Sequence, residues 1–256
     1  MGAGELFDMS GEVALITGGG TGLGFAMARA LALHGATVAL AGNKPEILKA
    51  AAEAIGALGG RAIWVPLDVR RDEMIGTAFD EVENRAGPVG VLVNNAGIAH
   101  RDKATQLSRE TLRNVMSVNV DSAFMVAQEA ARRMIRDGRG GSVINVSSVL
   151  SEVPVRQVAA YGTSKAALSQ MTRCLALEWA KHRIRVNEIR PGWFATALTD
   201  PFLKGAGSTV MAGQNPLGRL GSPNDLDGAV LLLASKAGAY MTGSAITVDG
   251  GHSIAR

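Results

Sequence analysis

The 256-residue chain predicts an α/β fold, a single doubly wound domain with a seven-stranded parallel sheet and helices on both faces. Three observations carry that expectation. Seven short apolar runs alternate with longer helix-compatible stretches from end to end. Most of the runs are apolar at successive positions instead of alternating with polar residues, as strands covered on both faces must be. The first run stops at a glycine cluster that opens the first long helix.

Val13 to Thr17 is the first strand, and Gly22 to His34 is the helix after it, ended by Gly35. Thr37 to Ala41 is the second strand. The next helix runs from Pro45, where proline suits a first turn, to Leu58. Ala62 to Pro66, Val89 to Val93, Ser142 to Val146, Arg185 to Ile189 and Ala245 to Val248 supply the other strands. Helical stretches at Asp72 to Arg85, Ser122 to Asp137, Tyr161 to Lys181 and Asn224 to Ala234 separate them. The stretch from Thr196 to Pro223 is Gly-rich, carries Pro201, Pro216 and Pro223, and reads as an irregular substrate-binding lid. No repeat or linker divides the chain, so residues 1–256 read as one domain.

Composition excludes several classes. Hydrophobic residues at 47% and charged residues at 19% are a globular balance, not a disordered one. Cys174, the one cysteine, builds neither an intrachain disulfide nor a Cys-rich zinc site, and no metal is expected. No apolar run reaches about 18 residues, so no membrane span is expected. The first ten residues carry no basic-then-apolar secretory pattern, and the expected location is cytoplasmic. The net charge of +3 is dispersed, and only 4% of residues are aromatic, which leaves little for bases to stack on. Arg132, Arg133, Arg136 and Arg139 form the densest basic cluster, and they sit where cations complement a helix C-terminus. Nucleic acid is not an expected partner.

The chemistry begins at Thr17-Gly-Gly-Gly-Thr-Gly-Leu-Gly24. A glycine-rich turn from strand to helix lets backbone amides approach a pyrophosphate where the helix dipole favours anions. Gly18, Gly22 and Gly24 are spaced GxxxGxG, not GxGxxG, and a purely structural tight turn stays open. After the second strand, NAD favours a carboxylate for its ribose hydroxyl, whereas NADP needs a cation and no acid. Gly42-Asn43-Lys44 offers no acid, a donor at Asn43 and a charge at Lys44, which favours NADP with NAD as the alternative. A surface lysine at a helix start is the structural reading of Lys44. Tyr161 and Lys165 are four apart, on one helix face. The ammonium is expected to lower the phenol from about 10 toward neutrality, making an acid/base usable near pH 7. Ser148 lies thirteen residues upstream at a strand end, where its hydroxyl could hold a substrate oxygen.

Together these residues resemble the short-chain dehydrogenases/reductases over nearly the whole chain, from Gly11 to Gly251. The matching positions are the glycine turn, Asn94-Asn-Ala-Gly97, Asn119, Ser148, Tyr161 with Lys165, Pro191-Gly192 with Thr196, and Val248-Asp-Gly-Gly251. The resemblance implies a Rossmann fold, an NAD(P)-dependent oxidoreductase acting on CH–OH donors, and a homotetramer. It implies that Tyr161 exchanges a proton with the substrate oxygen, Ser148 orients that oxygen, and Lys165 binds the nicotinamide ribose. Asn119 would hold a water of the proton relay. Gly18, Thr21, Gly22, Leu23, Gly24, Asn43, Lys44, Asp68, Val69, Asn95, Ala96, Gly97, Pro191, Gly192 and Thr196 would contact the cofactor. Structural alternatives stay open: Asn119 as a staple between helix and strand, Asp68 as a helix cap, Ser148 as partner of a loop amide. Thr21 stands where many NADP members carry Arg, and Glu188 and Arg190 replace small or apolar residues before Pro191.

Leu6-Phe-Asp-Met-Ser-Gly11, Ser151-Glu152 and Pro191-Gly-Trp-Phe-Ala-Thr196 resemble segments of gluconate 5-dehydrogenases and related sugar-acid members. An Arg common in that subgroup is here Val155, with Arg156 one place later. The expected substrate is therefore a sugar acid or polyol, met by His100, Glu152, Arg156 and Trp193. Reduction of 3-oxoacyl-[acyl-carrier-protein] is the alternative within the class. A non-catalytic dinucleotide-binding regulator is the alternative outside it.

Overall fold

The structure is a computed structural model that describes residues 2–196, 199 and 207–255. Its strands are β1 (Val13–Thr17), β2 (Thr37–Gly42), β3 (Arg61–Pro66), β4 (Val91–Asn94), β5 (Gly141–Val146), β6 (Ile184–Pro191) and β7 (Ala245–Val248). All pair in parallel, in the order β3-β2-β1-β4-β5-β6-β7. The helices are α1 (Ala3–Leu6), α2 (Gly22–Leu33), α3 (Pro45–Ala57), α4 (Asp72–Ala86), α5 (Arg109–Met116), α6 (Ser122–Asp137), α7 (Ala159–Trp179), α8 (Gly207–Gln214) and α9 (Asp227–Ala234).

The continuous apolar strands are explained by the two layers they serve. Along β1, Ala14 and Ile16 face one core with Met27 and Leu31 of α2 and Val230 of α9. Val13 and Leu15 face the other, with Phe79 of α4, Val126 of α6 and Leu175 of α7. Neither face of the central strands meets water, so period-two alternation is absent. Each fully buried Leu, Ile, Val or Phe contributes roughly 1.5–3 kcal/mol, so both layers are substantial.

All seven expected strands are present, with ends displaced by a residue or two because hydrogen bonding, not hydropathy, ends a strand. Three helices were not expected: the four-residue α1, α5 and α8. α5 carries one buried residue, Val115, and otherwise reads as polar loop. α8 lies inside the stretch expected to be irregular, which is thereby corrected at Gly207–Gln214. Residues 197, 198 and 200–206 of that stretch, Pro201 among them, lie outside the described residues. Its flanks are joined, since Gly221 N donates to Trp193 O at 2.8 Å and Phe194 bridges Gly221 in parallel.

The basic cluster is ion-paired. Arg133, nearly buried, meets Glu129 at 2.7 Å, Asp80 at 2.8 Å and Glu83 at 3.0 Å, and Arg136 meets Asp137 at 2.7 Å. Among the described residues no helix is long and apolar enough to cross a membrane. The chain moves outward from β1 to β3 and then returns to place β4 beside β1, so the strand order reverses there. Such a switch point opens a crevice beyond the carboxyl ends of the strands.

Candidate active site

That crevice is a cavity of ≈ 230 Å³. Its first wall is the glycine turn between β1 and α2. Gly18 has φ +63°, a left-handed conformation, and a Cβ on Gly24 would stand 2.3 Å from the Gly18 carbonyl oxygen. The turn therefore closes only with glycine at 24. Thr17 stitches it to the segment after β4. Its Oγ1 accepts from the amides of Asn95 and Ala96, both at 3.0 Å, while Asn95 Nδ2 donates back to Thr17 O at 3.0 Å. Gly18, Thr21, Gly22, Leu23, Asn95, Ala96 and Gly97 line this half of the cavity. A narrow glycine-floored cleft at a helix N-terminus fits a dinucleotide, because a Cβ at Gly24 would fill the turn that shapes it.

The other half holds Ser148, Tyr161, Lys165, Pro191, Gly192 and Thr196, all expected, together with Val146, Ser147, Phe194 and Thr199. Ser148 follows β5 and caps a 3-10 turn, Val149–Ser151, its Oγ accepting from Leu150 N at 3.1 Å. The same hydroxyl hydrogen-bonds Tyr161. Lys165 lies one turn after Tyr161 on α7, 4% exposed, with Nζ donating to Val146 O at 2.8 Å and 5.6 Å from the Tyr161 ring centroid.

The electrostatics correct the expected phenol. Burial pushes Tyr161 up to about 12, with the Ser148 hydrogen bond pulling the other way. Burial pulls Lys165 down to about 8, opposed by the Glu188 carboxylate. The ammonium stands over the ring face, and desolvation of the phenolate outweighs it.

Asn119 sits in a π-turn, Ser117–Asp121, between α5 and α6 and is buried. Its Oδ1 accepts from Ile98 N at 2.8 Å, and its Nδ2 donates to Ile98 O at 2.9 Å and Ser164 Oγ at 2.9 Å. Ser164 Oγ donates to Tyr161 O at 2.7 Å. The stapling arrangement is thus present, tying the segment after β4 to the helix that carries Tyr161.

Asn43, Lys44, Asp68 and Val69 do not line the cavity; they follow β2 and β3 on the same edge of the sheet. Leu67 N donates to Gly42 O at 2.7 Å, which brings the two strand ends together. Asn43 and Lys44 are exposed. Asp68 accepts from Arg70 Nη2 at 2.6 Å, and this guanidinium holds its carboxyl below the usual range. It does not cap α4, whose N-cap is Arg71.

Of the four residues expected on the substrate wall, one lines the cavity that adjoins Ser148 and Tyr161. A second cavity of ≈ 50 Å³ adjoins Ser148 and Tyr161, walled by Ala99, Val149, Leu150, Val158, Gly192, Trp193 and Thr199. Trp193 belongs to it. His100 and Arg156 are exposed and do not line it, and neither does Glu152. The 3-10 turn after Ser148 presents Val149 and Leu150 inward, while Glu152, at its end, is ion-paired with Arg190. Arg190 also meets Glu188 at 2.6 Å, so the two unusual charges before Pro191 pair with each other. The residues that sequence reasoning missed include Thr17 and Val146. Thr17 was legible as a hydroxyl at a strand end beside glycines. Val146 acts through its carbonyl, which no side-chain pattern reveals.

A sequence model described as Enoyl-(Acyl carrier protein) reductase matches residues 18–253. The chain is 36% identical over 251 residues to the 2-dehydro-3-deoxy-D-gluconate 5-dehydrogenase of Formosa agariphila, covering 96% of this chain and 94% of that one. It is 35% identical over 251 residues to the gluconate 5-dehydrogenase of Gluconobacter oxydans, covering 98% of each. The crystal structure of a gluconate 5-dehydrogenase from Burkholderia cenocepacia, in complex with NADP and tartrate, superposes with a TM-score of 0.94 at 35% identity, covering 99% of both chains.

Proposed function

The chain belongs to the short-chain dehydrogenase/reductase family, as an NAD(P)-dependent oxidoreductase acting on CH–OH donors, and we propose that it interconverts a secondary alcohol and a ketone of a sugar acid with NADP. The observation that carries this reading is the convergence of Ser148, Tyr161 and Lys165 on the cavity whose other half is the glycine turn. The sugar-acid class is supported by relatives named for gluconate and its keto derivatives.

NADP, when bound, supplies or receives the hydride at nicotinamide C4. Tyr161 donates a proton to the ketone oxygen during reduction and takes it back from the alcohol during oxidation. Ser148 orients the same oxygen through its hydroxyl. Lys165 holds the ribose beside the nicotinamide and, once charged there, favours ionisation of Tyr161. Asn119 holds a relay water near the π-turn, where backbone carbonyls depart from regular helix bonding. Asn95 to Gly97 form the floor, Pro191, Gly192 and Thr196 flank the nicotinamide, and Asp68 and Val69 meet the adenine. Lys44 and Asn43 meet the 2′-phosphate; no carboxylate occupies either position.

The chain reads as a single domain whose substrate-binding lid, expected at about 196–223, lies in part outside the described residues; Thr196 and Thr199 line the cavity. The chain acts in the cytoplasm as a homotetramer. Exposed Tyr240, Leu177 and Ile254 support assembly. α7 contributes less to it, since Leu175 is core and Met171 packs on core. A second reading, 3-oxoacyl thioester reduction, is favoured by the apolar wall beside Tyr161. An assay of nicotinamide absorbance with both cofactors against 5-keto-D-gluconate and an acetoacetyl thioester separates them. Higher kcat/KM on the keto-sugar acid is expected, and preference for the thioester would reject the proposal.

A further inference from the structure

The charged pair before Pro191 has a third partner. Glu188 and Arg190 are two apart on β6, hence on one face of the strand, and they are 2% and 7% exposed. Such charges stay ionised in an interior only when their donors and acceptors are filled. Glu188 Oε2 accepts from Ser169 Oγ at 2.6 Å, and its Oε1 accepts from Arg190 Nε at 2.8 Å and Nη2 at 2.6 Å. That leaves Arg190 Nη1, which reaches Glu152, four residues after Ser148. The Glu152 side chain is 62% exposed, so this contact contributes little to stability. Its consequence is positional.

Two of the chain segments that wall the cavity beside Tyr161 flank this ion pair. One is Val149 and Leu150, in the turn between Ser148 and Glu152; the other is Gly192 and Trp193, two and three residues beyond Arg190. Arg190 is covalently continuous with the second segment and hydrogen-bonded to the end of the first. We propose that Arg190 is a positioning residue for substrate recognition, using the Glu152 carboxylate to fix the separation of these two walls. Glu188 holds the guanidinium in the fork geometry this requires. Glu152 then serves the substrate side as the anchor of a wall and not as a ligand. The inference rests on the reading of this cavity as the substrate side of an oxidoreductase site.

Glu152→Ala tests it while leaving the buried Glu188–Arg190 pair intact. Hydrogen–deuterium exchange on the unliganded protein reports the first wall without any turnover. Exchange at 149–153 is expected to quicken about tenfold, with α2 unchanged. In assays with NADPH and 5-keto-D-gluconate, kcat/KM for the ketone is expected to fall roughly 10- to 100-fold, mainly through KM. The KM for NADPH is expected to stay within about twofold. Glu152→Gln, whose amide oxygen still accepts from Nη1, should fall between wild type and Ala. Unchanged exchange, or quickened exchange with unchanged ketone kinetics, would overturn the proposal. A wild type inactive on 5-keto-D-gluconate would sink that substrate reading instead; unchanged exchange would then reject the Arg190 strap, and quickened exchange would support it.

Discussion

Lys165 Nζ donates to the Val146 carbonyl at 2.8 Å, and this bond fixes where the ammonium stands relative to Tyr161. Val146 ends β5, two residues before Ser148, so one strand end holds the cation and presents the hydroxyl that meets Tyr161. The charge lies 5.6 Å from the ring centroid, over the ring face. In the cofactor-free site, burial decides both ionisations: Lys165 falls to about 8 and Tyr161 rises to about 12.

Stability of the cofactor-free protein should follow from those directions. Below pH 8 the buried Lys165 ammonium opposes folding in full. Between 8 and 10.5 the folded protein has lost a proton that the unfolded chain keeps, so stability rises with pH in that window. Tyr161 acts oppositely, and between 10 and 12 stability falls as pH rises. Lys165→Met should therefore be more stable than wild type at pH 7 by about 1–3 kcal/mol, less near pH 10, after allowing for the lost bond to Val146. Urea unfolding at both pH values measures this. A variant less stable than wild type at pH 7 would contradict it.

Tyr161→Phe should abolish turnover and leave cofactor binding nearly intact, because the ring's packing remains while the acid/base hydroxyl is gone. Such groups are typically worth about 10²–10⁴-fold in rate. If the variant keeps more than about a tenth of wild-type kcat, Tyr161 is not the acid/base.

Lys44→Ala should weaken NADPH binding by roughly 1 kcal/mol and leave NADH almost unchanged, as fits a partly exposed charge contact. Fluorescence titration with both cofactors decides it. Equal losses, or a wild type that prefers NADH, would reject the assignment.

Gly24→Ala should cost most of the cofactor affinity, since the added methyl would stand 2.3 Å from the Gly18 carbonyl and 2.5 Å from Asn95 Nδ2. Both are held by the stitch to Thr17, so the turn must open. Isothermal titration with NADPH reads the effect, and wild-type affinity in the variant would show that the turn adapts.

Light scattering at micromolar protein should give a mass of four chains. Tyr240→Glu with Ile254→Glu, both on exposed side chains, should lower it without impairing the fold, as circular dichroism would show. A monomeric wild type would refute the assembly.

Much of this architecture was legible locally. Strands sealed in a parallel sheet are apolar at successive positions, as Val13 to Ile16 are, and they announce both their type and their covering layers. The glycine turn and the Tyr161/Lys165 spacing are short-range patterns set by backbone geometry, so they point to the site without knowledge of the fold. α5 was not legible, because its stripe of Leu112, Val115 and Met116 is only two turns long and buries Val115 alone.

What the sequence determined by itself was therefore the sheet, the site's edge of it, and the reaction class. The tertiary structure decided matters that depend on neighbours distant along the chain. Glu152 reads from the sequence as a substrate ligand, and only the fold brings Arg190, 38 residues on, to its carboxylate. Tyr161 and Lys165 looked like a phenol acidified by an ammonium, yet burial sets both groups against that expectation. Asp68 looked like a helix cap or an adenine contact, and the fold removes the first reading, since Arg71 is the N-cap of α4 and Asp68 pairs with Arg70. A residue's type and spacing follow from the chain, whereas its partners and its desolvation follow only from what the fold packs around it.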